Sequence, residues 1–93
     1  MNLTEFNETS TRELLRQTSS TYLLALLETA EEVCAGAARE DDSLLWQAAS
    51  EIVGWLLDEL EVRYPSAVAL WGRLQWLGFD TDLTDHFRKA VNR

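Results

Sequence analysis

The chain has 93 residues with 16 acidic and 8 basic side chains, a net charge of −8, four tryptophans, one cysteine and one histidine. The length makes it one domain over residues 1–93, able to fold alone with little margin, and its apolar content is too high for a disordered chain. Such a charge argues against direct binding to nucleic acid or an anionic membrane and favours a basic protein partner, while the lone Cys34 excludes an intrachain disulfide.

Residues 1–10, MNLTEFNETS, read as a polar lead. Ser10 and Glu13 have capping-box spacing, which starts a first helix over 11–17. Thr18-Ser19-Ser20-Thr21 interrupts it, because small hydroxyl side chains compete for backbone hydrogen bonds. A second helix follows from Ser20 to Arg39. Its apolar arc contains Tyr22, Leu23, Leu26, Leu27, Ala30, Val33, Cys34, Ala37 and Ala38, and implies one buried face. Cys34 lies on that face and packs as a small hydrophobe.

Glu40-Asp41-Asp42-Ser43 is a turn and N-cap signal. Leu44–Tyr64 then forms a third helix, antiparallel to the second. Its apolar positions sweep roughly 220° at 100° per residue, against little more than 100° for a surface helix. Such a helix is central, covered on several sides or shared with a second copy. Trp46 and Trp55 stand on opposite flanks of the arc, one for the core and one for a second contact. Pro65 ends this helix, since the residue before proline avoids the helical region.

A fourth helix runs from Pro65 or Ser66 to Leu77, with a buried stripe of Ala67, Leu70, Trp71, Leu74 and Leu77, and Gly78 stops it. Trp76 lies off that stripe beside Ala69, Gly72 and Arg73, a candidate docking patch. Asp82 caps a last helix, Leu83 to about Val91, whose His86 reads as a surface or helix-end histidine. The pattern is all-α: a compact bundle of four to five helices with helix 44–64 at its centre.

No cofactor, metal or catalytic set emerges. Glu28, Glu31 and Glu32 share one helical turn but point outward with no histidine nearby. The run ETAEEVCAGAA followed by WQAASEIVGWLL resembles the all-α MazG-type nucleotide pyrophosphohydrolases over roughly Thr21 to Leu57. Those families carry a Glu-Glu-x-x-Glu helix and a later Glu-x-x-Asp helix with magnesium between them. Glu28 and Glu32 match two acids, Thr29 replaces another, and Gln47 and Ser50 stand where the second pair would be. The resemblance therefore implies a degraded, catalytically dead pyrophosphohydrolase-like relative.

The leading expectation is a non-enzymatic, cytoplasmic protein–protein interaction module, an adaptor or inhibitor, forming a homodimer and docking through Trp46, Trp55, Trp76, Ala69, Gly72 and Arg73. The alternative is a phage-type anti-defence inhibitor that imitates nucleic acid toward a basic target. It would use Glu28, Glu31, Glu32, Glu40, Asp41, Asp42, Asp58 and Glu61.

Overall fold

The computed structural model describes residues 3–92, with side chains from residue 10 onward. Among the described residues there are five helices and no strand: α1 (Leu3–Gln17), α2 (Ser20–Arg39), α3 (Ser43–Arg63), α4 (Pro65–Trp76) and α5 (Leu83–Val91). The all-α expectation holds. α1 begins at Leu3, so the stretch before Ser10 is helical rather than a lead, and Ser10 lies inside the helix. A cap is worth about 1 kcal/mol, too little to fix a helix start by itself.

The other boundaries follow local chemistry. Thr18 turns its hydroxyl back to the Leu14 carbonyl at 2.7 Å, and Ser19 caps α2 by accepting from the Tyr22 N–H. The α2–α3 turn closes with Asp41 N–H to Ala38 O and Asp42 N–H to Ala37 O, the paired bonds of a Schellman stop. Asp41 supplies the left-handed residue, φ 59°, that glycine usually provides; Asp tolerates this region better than most side chains. Asp42 then caps α3 through the Leu45 N–H. The same stop ends α4, with Gly78 N–H to Gln75 O and Phe79 N–H to Leu74 O. Gly78 sits at φ 92°, where an L side chain is strained.

α2 and α3 make the most extensive contact. Cys34 faces Ser50 near the turn, Sγ to Oγ 3.6 Å, and Ser20 faces Arg63 at the far end. The two helices therefore run antiparallel along their length. Leu23 and Leu27 of α2, Leu56 and Leu60 of α3, and Phe87 of α5 form the fully buried centre, joined by Leu15, Leu24, Ala30 and Ala67.

The body measures 44 × 33 × 20 Å. A helix with its side chains is about 10–12 Å across, so the short axis holds two layers. α1, α2 and α4 all touch α3, yet they leave much of it bare. Only Ala49, Leu56 and Leu60 of α3 are buried; Leu44, Leu45, Trp46, Ile52 and Val62 are exposed.

The buried face of α2 is turned relative to its apolar arc. Leu24 is buried, whereas Tyr22, Val33 and Ala38 are exposed. The cause is α5, which packs on the flank of Leu24, Glu28 and Glu31. There the buried Thr84 hydroxyl donates to Glu31 Oε1 at 2.9 Å, and Arg88 pairs with Glu28. α4 is turned likewise. Ala67 is buried and Trp71 and Leu74 are half-buried, while Leu70 and Leu77 face solvent. Trp71 is held by its Nε1–H donating to Thr81 O at 2.8 Å. His86 is not a surface residue: it is 8% exposed, folded under α4.

Candidate protein-docking surface

The uncovered flanks of α2 and α3 lie side by side. On α2 the edge is Leu26, Thr29 and Val33, with Tyr22 on the same side of the helix; on α3 it is Leu45, Ala48, Ile52 and Trp55. Thr11 and Leu14 of α1 close one end. Together they line a groove of about 500 Å³. Its rim is open: Leu14 is 64% exposed and Ile52 46%. None of the residues lining the groove carries a charge, although the chain carries 24 charged side chains. Large contiguous apolar patches are uncommon on monomers and mark interaction surfaces.

α1 is anchored by Leu15 in the core and by the polar contacts of Arg63. Arg63, at the C-terminus of α3, donates from Nη2 to the Leu15 carbonyl at 2.8 Å and the Arg16 carbonyl at 3.1 Å, and from Nη1 to Ser20 Oγ at 3.0 Å. Glu59 neutralises it, with Nε to Oε1 at 3.0 Å. The carbonyls of a helix's last turn have no partner within the helix; this guanidinium donates to two of them in α1, Arg16 O and Leu15 O, the latter also accepting from the Thr18 N–H. A surface pair, Arg12 with Asp58 at 3.7 Å, adds a second tie between α1 and α3.

The four tryptophans divide. Trp55 is half-buried and packs on the core at the end of the groove. Trp46 is about half exposed, beside Ala37, Ala38 and Asp42. Trp71 is the loop anchor described above. Trp76 is 90% exposed and borders a shallow hollow of about 480 Å³ with Ala69, Gly72, Arg73 and Leu77. The six docking candidates therefore occupy three places. Trp55 belongs to the groove, Trp46 to the α2–α3 turn, and the Trp76 group to a separate face of α4.

The eight acidic candidates divide as well. Glu28, Glu31 and Asp58 are held by Arg88, Thr84 and Arg12, and Asp42 is the cap of α3. Glu32, Glu40, Asp41 and Glu61 are exposed. Among the described residues no three His, Cys, Asp or Glu side chains converge where they could hold a metal ion, and no helix is long and apolar enough to cross a membrane.

No protein-family model, curated protein or solved structure matches this chain. The MazG-type resemblance thus rests on Glu28 and Glu32, of which Glu28 is paired to Arg88 and Glu32 is exposed.

The groove rim itself, Leu14, Val33, Leu45 and Ile52, is not among the sequence-predicted site residues: Val33 reads as core, and the α3 arc reads as covered by other helices or shared with a second copy. The available signal was that excess arc. Its Leu45–Ile52–Ala48 side exceeds what a single neighbouring helix can cover.

Proposed function

We propose that this protein is a non-enzymatic interaction module that docks protein through the α1–α2–α3 groove, and that the first occupant of the groove is a second copy of the chain. The observation that carries this is the groove's lack of charge. Two copies with a net charge of −8 each repel one another over most of their surfaces. They can approach closely where no like charges are forced together, and the groove is such a place. Pairing the two hairpins across a two-fold axis sets each Ile52 rim against the other copy's groove, as an isologous interface requires. It also covers the flank of α3 that the other helices leave open. The adaptor or inhibitor role then belongs to the surfaces that stay outside the dimer, including the Trp76 hollow.

The test is molar mass by light scattering over a dilution series, for the natural chain, Ile52→Glu and Trp76→Glu. Ile52 is half exposed in the monomer, so glutamate there costs the fold little. In the dimer it would bury a carboxylate without a partner, a cost of several kcal/mol. The expected result is a dimer for the natural chain and Trp76→Glu, and a monomer with unchanged helix content for Ile52→Glu. A natural chain that remains monomeric up to about 100 µM, a concentration that would populate even a weak dimer, overturns the proposal. A dimer broken by Trp76→Glu but not by Ile52→Glu overturns it too, and moves the interface to α4.

A further inference from the structure

A second hollow, of about 360 Å³, lies where the start of α4 meets α5. Arg63, Tyr64, Ser66, Leu70, His86 and Lys89 contribute to its lining, and no carboxylate does. In a chain with 16 acids, an acid-free hollow that gathers two cations and the only histidine is a concentrated exception.

The start of α4 has no side-chain cap. Tyr64 N–H is bonded to Leu60 O and Ala67 N–H to Tyr64 O, and Pro65 has no N–H. The Ser66 N–H therefore lacks an acceptor among the described residues, and its hydroxyl lacks a partner there too. A helix start of this kind favours anions. The independent observation is His86. The residue is more than nine-tenths buried and lines this hollow, yet its side chain makes no hydrogen bond or ion pair with any described residue. No side-chain nitrogen of a buried residue is both sealed from solvent and unsatisfied, so the unbonded ring nitrogens of His86 keep contact with solvent. Lys89 stands one helical turn on from His86, exposed and without an ion pair among the described residues. Arg63 adds little net potential, because Glu59 neutralises it and most of its donors are already engaged.

We propose that this hollow binds a phosphate group, free or as the monoester of a small molecule. The donors favour phosphate over carboxylate. Ser66, Lys89 and His86 line the hollow from two helices and offer more than two donors, a number that suits the three terminal oxygens of a tetrahedral monoester better than the two of a carboxylate. The volume is at the small end of ligand pockets, and Tyr64 and Leu70 give the ester's organic part an apolar wall.

His86 is the only histidine, so its ring proton gives one assignable NMR signal. At fixed pH and constant ionic strength, titration with inorganic phosphate and with phenyl phosphate should move that signal and the Ser66 amide along a saturating curve. Tighter binding of the ester assigns the apolar wall to its organic part; equal binding assigns the site to free phosphate, and either supports the hollow as a phosphate site. Lys89→Gln, at an exposed position, should weaken binding about tenfold, the loss of one charge-assisted contact; Ser66→Ala should weaken it less, and Arg73→Gln should leave it unchanged. Shifts that do not saturate, that acetate reproduces equally, or that survive unaltered in both Lys89→Gln and Ser66→Ala overturn the proposal.

Discussion

Arg63 offers the most direct test of how the groove is held together. Replacing it with lysine keeps the positive charge and leaves an ammonium able to meet Glu59. It removes the planar fork that reaches Ser20 Oγ, Leu15 O and Arg16 O together. Bonds from a charged donor contribute about 1.5–3 kcal/mol each when buried. Arg63 itself is only about one-fifth exposed, but Arg16 is exposed and Ser20 half-exposed, so water can replace part of what is lost. The expected cost is therefore about 2 kcal/mol rather than the full sum, or roughly 10 °C in Tm for a domain of this size. Circular dichroism melts and urea titration measure it. A double-mutant cycle with Ser20→Ala should return a coupling of about 1 kcal/mol. Because α1 closes one end of the groove, Arg63→Lys should also weaken any dimer more than a surface Arg73→Lys does. An Arg63→Lys variant within about 0.5 kcal/mol of the natural chain would refute the clamp.

Two glycines should respond to alanine with opposite signs. Gly78→Ala should destabilise by about 1–2 kcal/mol, since φ is 92° and nothing lies within 4 Å of the added methyl to offset the backbone strain. Gly54→Ala, at an exposed helical site in α3 with equal room, should stabilise by about 1 kcal/mol, the helix-propensity difference. Urea unfolding of both variants decides the pair, and equal signs would contradict the backbone assignment at Gly78.

Apart from the Ser10 capping box, which lies inside α1, helix boundaries were legible in the sequence where a cap or a stop made them a local matter. Ser19, Asp42, Pro65, Gly78 and Asp82 each act through a bond or a torsion within a few residues of themselves. The orientation of the helices was less legible because it depends on neighbours. An apolar arc says how much surface must be covered, not by which helix. Leu24 lies outside the arc that reads as buried, and α5 buries it; Tyr22 and Val33 lie inside that arc, and nothing described in this chain covers them. The same limit explains His86. Its surroundings, Asp82, Thr84 and Asp85, are polar in sequence, and only the packing of α5 under α4 encloses it. At the site level, Trp76 beside Ala69, Gly72 and Arg73 could be foreseen because all four share one helix. The groove and the α4–α5 hollow could not, since each is assembled from residues on different helices.

Salt separates self-association through the groove from recognition of a basic target through the acidic face, and the two respond with opposite signs. Face-to-face pairing sets two bodies of charge −8 about one short axis apart, 20 Å. Treated as point charges in water, they repel by roughly 7 kcal/mol at ~0.01 M salt and roughly 2 kcal/mol at ~0.1 M, as the Debye length falls from about 30 to 10 Å. These are upper bounds, because the charges lie on the outer faces as well as near the groove. Even a third of the difference is more than tenfold in Kd. Dimerisation should therefore tighten as salt rises over that range. Binding of exposed carboxylates such as Glu32 and Glu61 to a basic surface should weaken over the same range. Sedimentation equilibrium at the two salt concentrations reads the sign directly. A dimer that dissociates as salt is added would place charged side chains in its interface, which a charge-free groove cannot supply.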